Sequence, residues 1–180
     1  MRTAVRIVAL LLVTVLAAAL SPVASSTAAP ANRSGDDDGV MVFVPNPNPS
    51  SNAASSRARE KRYERKVRVY TNRARKRHDL KRVRRTKCVD RFANRWARKM
   101  ARRQSLQHQN LRRVMRRCNL SMAGENIAYG YRSGKAVVRG WMHSPGHRAN
   151  ILKGRYRLLG VGMKRDKFGR PWVSQVFGRH

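Results

Sequence analysis

The sequence predicts an α+β domain in which helices and a small sheet share one core. Three observations predict it. Apolar side chains recur at helical spacing between residues 57 and 118, set among arginines and lysines. Beyond Ser121 the texture changes to short segments punctuated by glycine and rich in β-branched and aromatic residues. The two cysteines fall on two of the helical stripes, so the helical half supplies its own cross-link. In 180 residues, helices followed by short strands make one domain with attached segments.

The opening "MRTAVRIVALLLVTVLAAALSPVASSTAAPA" places Arg2 and Arg6 before an apolar run from Ile7 to Leu20, followed by small residues. That is the pattern of a secretory signal peptide, assigned to residues 1–31. A membrane anchor is the alternative, but it needs ~20 apolar residues, and this run meets Ser21 and Pro22 too early. No second run of that length follows, so the mature chain is expected to be soluble, with no transmembrane helix. Residues 32–56 mix Gly, Pro, Asn and Ser with an acidic triplet and read as a flexible, low-complexity linker. Its one apolar island, Val40 to Val44, is flanked by Pro-Asn repeats that argue against a core strand.

Residues 57–180 form the predicted domain, opening with a basic helix. Tyr63, Val67, Tyr70 and Ala74 recur at i, i+4, i+7 and i+11, with Arg and Lys on the other faces. A second helix carries Cys88, Phe92, Trp96 and Met100 at every fourth position, widened by Val89, Ala93 and Ala97. A third, short helix lines up Leu111, Val114, Met115 and Cys118. Cys88 and Cys118 therefore both face the core, and an exported chain meets an oxidising compartment where such a pair closes. A disulfide across this loop stabilises by roughly 3–4 kcal/mol on the chain-entropy model. A zinc site at the cysteines would need two further ligands at metal spacing, and none flanks either one. Farther on, Ala136 to Met142 suits a helix begun after the Ser133-Gly134 turn. Leu158 to Lys164 and Trp172 to Gly178 read as two strands, and "DKFGR" between them supplies the turn of a terminal hairpin.

Forty-one Lys and Arg stand against nine acids, a formal charge of +32. Removal of residues 1–31 takes Arg2 and Arg6 and no acid, leaving +30. A chain of this balance is expected to sit on polyanions by counterion release, the alternative being a merely solvated Arg-rich surface.

Five motifs in order carry a resemblance. "HQNL" at 108–111, "GENIAYGY" at 124–131, "GWMHSPGHRANIL" at 140–152, "GVGM" at 160–163 and "WVSQVFG" at 172–178 resemble bacterial members of the CAP superfamily, the SCP-domain proteins. "YTNRARKRHDL" at 70–80 is similar to the family's first-helix Asn-x-x-Arg opening, with Asn72 and Arg75 in place. The resemblance covers roughly residues 65–178 and implies an α-β-α sandwich with a cleft where two His and two acidic side chains converge. By the resemblance, His108 is the first His, Glu125 the first acid and His147 the second His. The second acid does not carry over, because Ser144 occupies its place.

Two neutral imidazoles and one carboxylate are a set that suits a divalent metal such as zinc, with an open position for water. The competing reading has Glu125 bond one imidazole or a backbone N–H, so that the cluster ties loops together. General acid–base catalysis lacks half its expected groups once Ser144 replaces the second acid. Ser144 as a nucleophile with His147 is disfavoured because it precedes Pro145 and starts a turn. That turn, Ser144 to Gly146, is expected to aim His147 into the cleft, with Asn126, Arg148 and Asn150 fixing the local geometry. His143 is expected at the surface.

The sequence thus points to a secreted, extracellular or envelope-associated binding module whose partners are anionic cell-envelope polymers or lipids. A metal-dependent hydrolase using His108, Glu125 and His147 is the alternative. Polyanion or nucleic-acid binding through the basic helices between Arg57 and Arg117 is a third reading, with the export signal and the lack of any helix-turn-helix or zinc-finger pattern against nucleic acid.

Overall fold

The computed structural model describes residues 49–180, so the expected signal peptide and most of the expected linker, including the Val40 to Val44 island, lie outside the described residues. Five helices and four strands follow in order: α1 (Pro49–Lys76), β1 (Arg84–Arg85), α2 (Lys87–Arg103), α3 (Leu111–Cys118), β2 (Met122–Tyr129), α4 (Gly134–Met142), α5 (Pro145–Leu152), β3 (Leu158–Arg165) and β4 (Pro171–Arg179). The strands form one sheet in the order β1-β3-β4-β2, with β1 parallel to β3 and the other pairs antiparallel. The expected terminal hairpin is present as β3 and β4.

Strand alternation sorts the side chains into two faces. Leu159, Val161 and Met163 of β3, with Val173 and Phe177 of β4, share a core cluster with Tyr63, Val67 and Ala74 of α1 and with Val137, Val138 and Trp141 of α4. Leu158 and Val176 point the other way, into a cluster with Val89 and Ala93 of α2 and Val114 and Cys118 of α3. The sheet is therefore sandwiched between α1, α4 and α5 on one side and α2 and α3 on the other, an α-β-α arrangement.

α2 differs in detail from its sequence pattern. Its seam is Val89, Ala93, Ala97, Met100 and Ala101, whereas Cys88, Phe92 and Trp96 are only half-buried at the border. The reason lies in β3. A Cβ on Gly160 would stand 2.4 Å from the Val89 carbonyl carbon, and one on Gly162 would stand 2.4 Å from that of Ala93. The helix backbone rests directly on these glycines, so small residues occupy the seam and the large rings move to its flanks. Cys88 and Cys118 form the expected disulfide.

Three further differences have local causes. "PSSNAASS" at 49–56, expected as linker, is the first two turns of α1. Proline is tolerated at a first helical position, and residues 50–55 carry no apolar stripe because they are exposed. β2 was not expected as a strand, yet it pairs with β4 over its whole length, from Met122 opposite Arg179 to Tyr129 opposite Trp172. α4 begins two residues ahead of Ala136, with Ser133 Oγ accepting from the Ala136 N–H as its cap.

β2 is the last strand of the sheet, so one edge of it faces away from β4. On that edge the Glu125 carbonyl accepts from Asn150 Nδ2 at 3.1 Å, and the Ile127 carbonyl accepts from the Trp141 indole N–H at 3.3 Å. α4 and α5 thus reach the sheet through side-chain donors as well as through packing.

Candidate functional site

Consecutive residues of β2 serve opposite faces of the sheet, and the site wraps its outer edge. Glu125 points toward the α2–α3 layer and is 4 % exposed. Its Oε1 accepts from Gln109 Nε2 at 2.6 Å and from Ser174 Oγ at 2.8 Å; its Oε2 accepts from the Gln109 backbone N–H at 3.1 Å and from His108 Nδ1 at 3.0 Å. In that bond Nδ1 is the donor, since a carboxylate oxygen can only accept. His108 itself is exposed, on the loop between α2 and α3.

Asn126 points to the other face and is fully buried. Its Nδ2 donates to the His147 carbonyl at 3.1 Å and to Gln175 Oε1 at 3.0 Å, while its Oδ1 accepts from Asn150 Nδ2 at 3.0 Å. Gln175 Nε2 continues the chain to Thr71 Oγ1 on α1 at 2.7 Å. Each buried amide finds a partner, as buried polar groups must.

The expected Ser144 to Gly146 turn is instead the start of a helix. Ser144 takes the N-cap position of α5, Pro145 is the first helical residue, and His147 lies in the first turn. Proline at that position has no N–H to lose and a φ already suited to the helix. Ser144 makes no side-chain bond to the helix backbone; its Oγ lies 2.8 Å from His147 Nδ1 and fixes the ring. Burial, and secondarily the charge of His108, holds the His147 pKa below its ordinary value. The two imidazoles are therefore electrostatic neighbours, and His147 is harder to protonate than a free imidazole.

Arg75 sets the far end of α5. It is fully buried, and its guanidinium donates to the carbonyls of Lys81 at 2.9 Å, Ile151 at 2.7 Å, Lys153 at 3.0 Å and Tyr156 at 3.3 Å. Asn72, one turn earlier, exchanges two bonds with the Val83 backbone at 3.0 and 2.9 Å. The Asn-x-x-Arg pair thus clamps two loops to α1. Beside β2, α4 and the start of α5, Leu106, Ile127, Tyr129, Tyr131, Trp141 and His147 line a pocket of about 230 Å³.

The sequence-expected residues divide accordingly. His108 with Glu125, and Asn126 with Asn150 and the His147 carbonyl, come together in two hydrogen-bonded groups around one strand. Arg148 is exposed on α5 and stays outside both groups. His143 is at the surface, with Nδ1 2.8 Å from the Arg139 carbonyl. Glu125 is not free to be a metal ligand, since four donors already occupy its two oxygens. Among the described residues, no group of three His, Cys, Asp or Glu side chains converges to hold a metal ion. Two imidazoles fall short of the three protein ligands of a catalytic zinc site, so this donor set does not fit one.

Gln109, Ser174, Gln175 and Thr71 had no role in the sequence reading. The signal was present for two of them: "VSQV" sets adjacent polar residues inside an otherwise apolar strand, one on each face, where burial demands a partner.

A family model for the cysteine-rich secretory protein family, CAP, matches residues 69–177. Fifty-seven residues are 42 % identical to part of YlbC, an uncharacterized membrane protein of Bacillus subtilis, a match that takes in 32 % of this chain and 16 % of that protein. An extracellular SCP-domain protein from Bacillus anthracis superposes with a TM-score of 0.64 at 26 % identity, over 71 % of this chain and 43 % of its own. A cysteine-rich secretory protein from Staphylococcus aureus superposes with a TM-score of 0.58 at 20 % identity, over 67 % of this chain and 39 % of its own, a likeness of fold alone. The chain spans less than half the length of each of these three proteins.

Proposed function

The chain belongs to the cysteine-rich secretory protein family, CAP, and on that premise we propose that it is an exported module that binds at a cell envelope and does not turn its ligand over. The single observation that carries this reading is the Glu125 carboxylate. With both oxygens spent on Gln109, Ser174 and His108, it serves as a strut and supplies neither a general base nor a third metal ligand. What remains at the site is a small pocket with aromatic walls and the His147 imidazole, whose protonation burial disfavours, which suits a compact ligand of mixed polarity.

Export fits the signal-like opening of the sequence, and the B. anthracis relative is itself described as extracellular. Envelope polymers fit the charge. Residues 1–48 hold three arginines and three aspartates, so residues 49–180 keep the full +32. Of the six acids among those residues, five are tied to a basic neighbour, in the pairs Glu64–Lys61, Asp90–Arg85, Glu125–His108, Glu60–Lys164 and Asp166–Arg170. Anionic polymers or lipid headgroups are the partners that such a surface selects. Among the described residues, no helix is long and apolar enough to cross a membrane.

Calorimetric zinc titration of the metal-free chain tests the reading against the hydrolase alternative. Half a ligand set forfeits much of the ~10–16 kcal/mol that a full set supplies, so uptake weaker than about 1 µM is expected. Tight one-to-one uptake accompanied by hydrolysis of ester or peptide substrates would overturn it.

A further inference from the structure

A second concavity with aromatic walls lies on α2 and α3 and shares Gln109 with the Glu125 cluster. Phe92 and Trp96, one turn apart on α2, form two walls of a cavity of about 300 Å³. Arg95 and Lys99 stand beside them on the same helix; Gln109, Asn110 and Arg113 close it from the loop and the first turn of α3. These rings are the ones that the Gly160 and Gly162 contact pushes to the flank of α2, so their half-exposure follows from the packing of the sheet.

We propose that this cavity is a binding site for a small organic anion with a flat apolar body. The argument is complementarity. No acid lines the cavity among the described residues, yet three cations surround it, and Arg95 and Lys99 repel each other across one helical turn. Their present compensation is the aromatic faces: Lys99 Nζ lies 4.4 Å from the Trp96 ring centroid and Arg95 Cζ 5.8 Å from that of Phe92. An anionic group seated between Arg95 and Arg113 removes that repulsion, and a flat body between the two rings covers apolar surface that water now wets. The walls are preorganised. The Trp96 indole N–H donates to the Gln107 carbonyl at 2.7 Å, which fixes the ring, and Gln109 is buried with its side chain held on Glu125. The cavity is at the small end of the ~300–1,000 Å³ that ligand sites occupy, enough for one bicyclic ring.

Naphthalene-2-sulfonate is the probe, titrated into the ¹⁵N-labelled chain and followed by two-dimensional NMR. The expected result is saturable movement of the Trp96 indole resonance and of the Asn110 and Arg113 amides. The double variant Arg95→Gln, Arg113→Gln, both exposed side chains, should bind about tenfold more weakly. The charge-matched control Arg112→Gln, Arg116→Gln, outside the cavity, should bind as the parent does. The proposal fails if sulfate alone reproduces the shifts at equal affinity, if the neutral naphthalene-2-methanol binds as tightly as the sulfonate, or if the control weakens binding as much as the cavity variant. Tighter binding of octyl sulfate would assign an acyl chain and overturn the flat body.

Discussion

Replacement of Arg75 by Met removes the clamp on α5 while leaving helix propensity nearly unchanged, since Arg and Met are close on that scale. Four carbonyls lose a donor, but unequally. The Lys153 carbonyl also accepts from the Tyr156 N–H, and the Tyr156 carbonyl also accepts from Arg157, so both keep a partner. The Ile151 carbonyl is bonded to Arg75 in buried surroundings and the Lys81 carbonyl in partly buried ones. Stranding the first costs about 1–3 kcal/mol, and the second about 1 kcal/mol once water reaches it. Against this stands a refund, because burial, with the charge of Arg157 second, already pushes the Arg75 pKa down, and no carboxylate among the described residues pairs with it. The refund offsets part of that gross ~2–4 kcal/mol, leaving a net loss of about 1–3 kcal/mol, or a drop in Tm of roughly 5–10 °C for a domain of this size. Urea unfolding supplies the first number and a thermal scan the second. Amide spectra should show movement concentrated in α5 and around His147. Arg75→Lys should fall between the two, because an ammonium cannot span the same set of carbonyls. A Met variant within about 0.5 kcal/mol of the parent, with α5 resonances unmoved, would refute the clamp.

Reduction of Cys88–Cys118, or Cys88→Ser with Cys118→Ser, should lower stability by about 3–4 kcal/mol in urea, and the native chain should offer no alkylatable thiol. Gly162→Ala should destabilise by about 1–3 kcal/mol or more, because the new methyl meets helix backbone rather than a movable side chain; a neutral result would mean that α2 is free to retreat. An NMR titration should place the His147 pKa below 6.5. The unfolded chain then binds more protons than the folded one just below that value, so stability present above pH 6.5 is lost as pH falls through the folded pKa, and His147→Asn should flatten that dependence. Asp166 is held at about 2: burial pushes it up, but the Trp172 indole, the Arg170 side chain and N–H, and the Phe168 N–H hold it down more strongly. Its contribution is therefore in force above pH 3.8 and fades as pH falls toward 2, so Asp166→Asn should remove that part of the acid-unfolding curve.

How much of this was legible in the sequence follows from what each pattern encodes. Periodic apolar runs encode faces, so α1, α2, α3 and the β3–β4 hairpin could be read directly. β2 could not, because "MAGENIAY" spends two of its central positions on Glu125 and Asn126, whose burial is made affordable by partners 16 to 49 residues away. The same holds for the seam of α2: the sequence shows a broad stripe from Cys88 to Met100, and only the glycines of β3 decide which edge of it meets the sheet. His108, Glu125 and His147 were reached by resemblance, and nothing in their spacing distinguishes a ligand from a strut. That distinction rests on Gln109 and Ser174, whose donors are invisible until the chain is folded.

The side-chain donors along the outer edge of β2 also bear on solubility. An exposed edge strand offers bare carbonyls to any extended segment of another molecule, and a flat apolar one invites aggregation. Here Asn150 and Trp141 occupy the Glu125 and Ile127 carbonyls. A foreign strand would have to strip both away and unseat α5 from the sheet before it could pair. Trp141, which lines the pocket, thus also guards the edge against strand addition together with Asn150, and a variant that loosens α5 should lose monodispersity on concentration before it loses its helices.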